Sequence, residues 1–441
     1  MNKFFKGLLL LILAAFAGEC IEFLINMVLA RQLGEHGLGL YMSILPTIFL
    51  IVLLASFEMP VSISKFIAEK DRKYHYSMLN HVIRMTVIFS LILIPLASAI
   101  LPFITVFDDY HPLLRWMAII LIPIISFSSI ARGYFMGNEQ MGKIASANFL
   151  RKFIQLSLLV LLFHLFRFET ETAVFIAVCT FVGSEIAIFA YFIHLFVIQY
   201  QRMKKLPFEP MSGMSVWKNL MGVSIPTTGL RIFHALTHAI QPFLIKAALL
   251  KSGISTDIAT EHFGMVAGVA MTIGMFPAFI AHSFMVMLIP TVSRAYAEEK
   301  HNYLRRLLQQ VFFITFLYGV PSVTIFYFFA EPLTSTFFHS IEASIYVQLL
   351  WPFFLLHFFI FPMQAFLIGL GLMKDAFYHA VWSTLISFVA MYVFGSMESL
   401  QMHGVILGIN MGAILLMFMH YMTICKKIGV TWFLTKQTSF S

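Results

Sequence analysis

Charge is scarce in this chain. Lys, Arg, Asp and Glu make up 11% of its 441 residues, against about a quarter in an ordinary soluble domain. That is too little polar material to clothe a water-soluble body of this length. Cysteine is scarcer still: Cys20, Cys179 and Cys425 stand far apart and form no CxxC pair. They exclude a disulfide framework and a cysteine-built metal site, and read as small apolar packing residues. No Walker A loop, HExxH, GxSxG or dinucleotide fingerprint occurs, so the common devices of an enzyme are missing and no cofactor or metal is expected. Long polar connections are missing as well. The longest, around 199–216 ("YQRMKKLPFEPMSGMS"), falls far below the ~50 residues of a folded domain.

What fills the chain instead is apolar sequence, 60% of the whole. A membrane-spanning helix needs ~20 mostly apolar residues. Twelve such runs are expected: 7–30, 39–62, 81–103, 113–137, 146–166, 173–198, 217–245, 262–290, 307–329, 343–369, 376–397 and 402–424. The expected fold is an all-α, polytopic membrane protein. The first run is longer than the ~7–15 residues of a signal-peptide core and lacks a convincing cleavage site, so it is read as a retained helix.

The net charge of +8 has a direction. With the N-terminus in the cytoplasm, 22 of the 29 Lys and Arg fall on the cytoplasmic side, including Lys70, Arg72, Lys73, Arg84, Lys204 and Lys205. That is the positive-inside bias. Both termini are expected in the cytoplasm, and the excess of cations answers to topology and anionic headgroups, not to nucleic acid.

The two halves resemble each other. "PVSISKFIAEK" (60–70) matches "PTVSRAYAEEK" (290–300), and "RGYFMGNEQMGK" (132–143) matches "QAFLIGLGLMK" (364–374), at offsets of about 230. Each repeat then holds six spans, so both enter the membrane in the same direction, a parallel repeat. The expected division is a lobe over 1–200, a linker over 201–216, a second lobe over 217–425 and a tail over 426–441, with a central cavity. Aligning "FKGLLLL" at 5 with "WKNLMGV" at 217 places Glu19 on Arg231, Glu22 on His234 and Asn26 on His238. At ~100° per residue each trio forms one stripe. A charge at the bilayer centre is costly unless it faces protein or water, so these stripes are expected to line a cavity, acidic in one lobe and basic in the other.

With these segments in place the chain resembles the MOP flippase superfamily, closest to its branch of stage V sporulation proteins B and polysaccharide exporters. The resemblance rests on "LARQLGEHGLGLYMSILP" (29–46), "SFEMPVSISKFIAEK" (56–70), "RGYFMGNEQM" (132–141), "FPAFIAHSFMVMLIPTVSRAYAEE" (276–299) and "QAFLIGLGLMKDA" (364–376). It implies two six-helix lobes and alternating access for a lipid-linked saccharide or peptidoglycan-type precursor, in a cell or forespore membrane. Glu58 departs from the pattern, which usually has glycine there, and "LRKFIQ" (150–155) lacks the Glu and Arg often found at that place. The chain also has no room for two further C-terminal helices.

Arg231 is then expected to hold a diphosphate, since a guanidinium binds it bidentately, and to pair with Glu19 when empty. Its structural alternative is a fixed tie between the lobes. His234 and His238 are candidates for proton coupling, and Glu22 and Asn26 for cavity lining or a monovalent cation. Arg132, Glu58 and Lys65 are expected near the cytoplasmic ends of their spans, as a gate or as residues snorkelling to headgroups. Pro226, five residues before Arg231, is expected to shape the site. Competing functions are a cation-coupled multidrug antiporter and a non-transporting membrane scaffold.

Overall fold

The computed structural model describes residues 3–429; the side chains of 3–14, Thr105, Val223, Pro226, Thr227, Leu230 and Val286 lie outside the described set. The expectations for Pro226 and for residues 430–441 of the tail therefore fall outside it. Everything regular among the described residues is helical. The first half of the chain holds α1 (Lys3–Ser56), α2 (Met59–Glu69), α3 (Arg72–Ile100), α4 (Leu113–Gly137), α5 (Met141–Leu165) and α6 (Thr170–Lys204). The second half holds α7 (Gly213–Lys251), α8 (Thr256–Gly264), α9 (Met271–Met275), α10 (Ala278–Ala297) and α11 (His301–Phe328). It ends with α12 (Ala330–Leu333), α13 (Ala343–Leu349), α14 (Trp351–Gly369), α15 (Met373–Gly395) and α16 (Gln401–Ile428).

Among the described residues, twelve stretches are long and apolar enough to cross a membrane. They regroup the expected runs in two places. The first covers Ala15–Glu69, 55 residues, which at 1.5 Å per residue is about 80 Å and more than twice a bilayer core. Gly34, with φ 66° and ψ −179°, breaks it into two crossings. Conversely, the expected run 262–290 is divided at Phe276–Pro277 into Thr256–Met275 and Ala278–Ala297. The stretches again number twelve, although they divide the chain differently from the expected runs, and the chain is a multi-pass membrane protein.

Packing divides the chain into two compact units, Met1–Gly39 with Gln241–Ser441, and Leu40–Ile240. Both boundaries lie inside helices, α1 and α7, and not in the polar connection after α6. The first half of α1 thus packs with the C-terminal helices, and the first half of α7 with the N-terminal ones. In the 40–240 unit, Met59, Ile63, Phe66, Phe135, Phe192 and Leu220 share one buried core. In the other, Leu288, Val292, Leu304, Met363 and Phe366 do the same.

The repeat is visible as a shared corner. In the 40–240 unit, α4 ends at Gly137, Glu139 takes a left-handed φ of 56°, and α5 starts at Met141. In the other unit, α14 ends at Gly369, Gly371 takes φ 78°, and α15 starts at Met373. Each helix-ending glycine meets the partner helix backbone. A Cβ on Gly137 would lie 2.6 Å from Ile67 on α2, and one on Gly369 would lie 2.7 Å from Val292 on α10. Only hydrogen fits at either place.

Candidate functional site: the α2–α7 clasp

The site begins with a proline. Pro60 has no backbone N–H and its ring clashes with the carbonyl four residues back, so α1 cannot run smoothly into α2. The chain breaks at Phe57 and Glu58, both left-handed with φ of 44° and 47°, and α2 restarts with Pro60 in its first turn. Non-glycine residues in that region cost about 1–3 kcal/mol each. A carbonyl at the break finds a hydroxyl: Ser126 on α4 donates to Ala55 O at 2.9 Å, while Leu53 O keeps its helical bond from the Phe57 amide and also accepts from Ser56 at 3.0 Å. Inside a membrane such replacement is what makes a broken helix tolerable.

The break turns the Glu58 side chain inward, where only 7% of it stays exposed. Its partner is Arg231, whose Nη1 donates to Glu58 Oε1 at 2.6 Å, within the same unit. Arg231 itself is 64% exposed. The pair is lopsided, a buried anion held by a cation whose remaining N–H groups stay accessible. A second tie lies further along the same two helices, where the buried hydroxyls of Ser62 and Ser224 meet at 2.6 Å.

The α7 stripe behaves as its spacing predicts. Arg231, His234 and His238 are all exposed, while Leu220, Met221, Ser224, Thr228 and Ala239 are buried against the unit. Ile225, Leu236 and Ile240 are exposed apolar residues, and at ~100° per residue they fall on the side of α7 opposite the polar trio. The basic stripe is thus separate from the greasy one. Thr237 donates to His234 O at 2.8 Å, and the His234 ring lies edge-on to Phe233 at 5.6 Å.

In the other unit, Glu19, Glu22 and Asn26 are half-buried on α1. Their helix is fixed by rings on an adjoining face. Phe16 meets Phe276 and Phe279 at 6.1 and 5.3 Å, and Phe23 meets Phe276, Phe337 and Phe338 at 5.3–5.5 Å.

The three residues grouped as a gate are not assembled as one. Glu58 holds Arg231. Lys65 reaches along its own helix to Glu69 at 3.9 Å, with both side chains exposed. Arg132 points to α5 and α6, donating to Asn148 Oδ1 at 3.4 Å with its guanidinium 5.7 Å from the Phe192 ring centre. Nearby, Arg151 and Glu185 form a further pair at 3.7 Å. Sequence reasoning matched Arg231 with Glu19 by alignment and did not see Glu58 as its partner. One signal was present: a carboxylate where the family usually has glycine, two residues before a proline.

The family described as "Polysaccharide biosynthesis protein" matches residues 4–295, and the family MatE matches residues 265–393. The chain is 54% identical over 438 residues to "Sporulation protein YkvU" of Bacillus subtilis (strain 168), covering 99% of this chain and 98% of that one. It is 31% identical over 443 residues to "Stage V sporulation protein B" of the same organism, covering 98% and 85%. Among solved structures, the inward-facing conformation of a multidrug resistance MATE family transporter of the MOP superfamily matches with TM-score 0.73 and 18% identity, covering 93% and 94%. A MOP superfamily transporter from Pyrococcus furiosus matches with TM-score 0.63 and 16% identity, covering 96% and 95%. These two likenesses speak for the fold, and the sequence matches for the lineage: the chain belongs to the polysaccharide biosynthesis protein family and, through it, to the MOP superfamily of membrane transporters.

Proposed function

We propose that this transporter is a flippase for a lipid-linked saccharide or peptidoglycan-type precursor in envelope or spore construction. It works by alternating access of two six-helix lobes (1–200 and 217–425), with both termini cytoplasmic. The observation that carries the reading is the lopsided Glu58–Arg231 pair. A guanidinium held at one edge and accessible at the others is poised for a second, stronger anion. A diphosphate headgroup competes with the Glu58 carboxylate for Arg231, so occupancy and the state of the α1–α2 break bias one another. His234 and His238 on the same stripe serve as proton-binding groups, and Glu19, Glu22 and Asn26 as a second set of polar residues that takes a proton or monovalent cation. Glu58, and not Lys65 or Arg132, is the gating residue in this reading.

A multidrug antiporter is the second reading, since the MATE match is to a multidrug resistance protein. A basic stripe on α7 argues against a cationic drug. In the Pyrococcus furiosus relative, reversed pocket polarity is what suggests a different function.

Native mass spectrometry of gently purified protein tests the proposal. A polyprenyl-diphosphate species is expected to co-purify with wild type and to be lost in Arg231→Ala. Headgroup translocation in liposomes is expected to fall at least tenfold in Arg231→Ala and in Glu58→Gln. Wild-type retention and rates in both variants overturn it.

A further inference from the structure

The start of α7 is laced to α3 one helical turn at a time. Lys73 pairs with Glu209 at 2.7 Å, Ser77 Oγ accepts from the Met211 amide at 2.9 Å, and His81 Nε2 donates to the Met211 carbonyl at 3.0 Å. The connection therefore climbs α3 for about two turns before α7 begins at Gly213. A Cβ on Gly213 would stand 3.2 Å from His81 Nδ1, so glycine is what lets α7 start this close. Just beyond, the two helices leave a cavity of about 380 Å³ lined by His81, Arg84, Met85, Ile88, Gly213, Met214 and Trp217.

Its position in the bilayer can be read from the sequence. After Arg84, α3 carries no charged residue through Ile100, about 24 Å of helix. Across the cavity, Trp217 and Lys218 are followed by no charged residue until Arg231. Arg84 and Trp217 thus mark one water–lipid boundary, the level that tryptophan and basic residues favour. Ile88 (58%) and Met214 (63%) are exposed large apolar side chains there, as suits a surface in contact with lipid. Arg84 is exposed, with the Tyr200 phenol within its electrostatic reach; the cavity wall is apolar and no acidic residue lines it.

We propose that this α3–α7 groove is a binding site for one anionic phospholipid. Arg84 takes the headgroup phosphate at the edge of the groove, Trp217 packs at the ester level, and an acyl chain lies along the apolar wall of Met85 and Ile88. A zwitterionic lipid is the poorer occupant, because its ammonium meets only cations and apolar walls. The site is distinct from Arg231 and does not depend on what the transporter carries.

The test uses the full-length protein in detergent, supplied with phosphatidylglycerol or with phosphatidylcholine of the same chains, and read by native mass spectrometry under graded collisional activation. Wild type is expected to retain one phosphatidylglycerol that Arg84→Gln retains at least fivefold less often. Arg84→Lys is expected to keep most of it, and Arg231→Ala to keep all of it. Ile88→Gln, which leaves the cation in place, is expected to weaken retention less than Arg84→Gln. Equal retention of phosphatidylglycerol by wild type and Arg84→Gln, with both proteins melting alike, overturns the proposal. So does wild type holding phosphatidylcholine as firmly as phosphatidylglycerol.

Discussion

The break between α1 and α2 and the break between α9 and α10 fall in helices that the repeat pairs, yet they are built in opposite ways. The first spends two consecutive left-handed residues, Phe57 and Glu58, and buries a charge that Arg231 must answer. The second stays right-handed throughout, with Phe276 at φ −51° and Pro277 at φ −72°, and is wrapped by the rings of Phe16, Phe23 and Phe279. The matched prolines do not act alike either: Pro60 opens α2, whereas Pro290 sits inside α10. A repeat can keep its residues and still move its joint. One unit closes its joint with electrostatics, the other with aromatic packing.

The largest expected effect breaks the polar joint. Arg231→Ala leaves the buried Glu58 carboxylate without its partner, which costs about 1–3 kcal/mol or more. Thermal unfolding in detergent is expected to drop by several degrees, and adding Glu58→Gln is expected to restore more than half of the loss. An Arg231→Ala variant that melts like wild type shows that the clasp carries no stability. Next come the twin glycines. Gly137→Leu and Gly369→Leu overfill equivalent corners, at about 1–3 kcal/mol or more, and similar losses are expected from both. A large effect from one alone removes the structural basis for equating the corners.

Smaller effects sharpen the contrast. Ser126→Ala uncaps Ala55 O at the polar joint, and Phe276→Leu thins the aromatic one; each is expected to cost about 1 kcal/mol. The smallest concerns Glu209, whose carboxyl is held below the usual carboxylate range by the hydrogen bond from Lys73. A lowered carboxyl contributes stability above its unfolded value and loses it as pH falls through its folded one. The pair is exposed, so Lys73→Met is expected to melt within a degree of wild type near neutral pH, any difference vanishing in strong acid. A shift of several degrees at pH 7 contradicts that ranking.

The fold was legible because apolar run length and charge asymmetry are one-dimensional signals. Twelve runs follow from them, and the offset of about 230 from matching short segments such as 132–143 and 364–374; the corners at Gly137 and Gly369 came only with the structure. The α7 stripe was legible for the same reason, since helical phase alone separates Arg231, His234 and His238 from Ile225, Leu236 and Ile240. The partner of Arg231 was not. It depends on where α1 stops, and that depends on backbone torsions at Phe57 and Glu58 that no periodicity encodes. Nor did spacing reveal that Lys65 pairs with Glu69 and Arg132 with Asn148, not with Glu58, because side-chain partners depend on which helices pack together. The division of α7 between packing units escaped as well, since no break marks Ile240; near Gly39 the sequence did mark a boundary, between the runs 7–30 and 39–62, but both runs were assigned to one lobe.

Position 58 unites a joint and a latch in one side chain. The glycine usual at this place in the family would bend there without strain but could not fasten Arg231. Glutamate fastens it at the expense of suppleness. In this protein, then, how readily the second span flexes and how strongly the seventh is restrained are set by the same residue, and neither property can be tuned while the other is left alone.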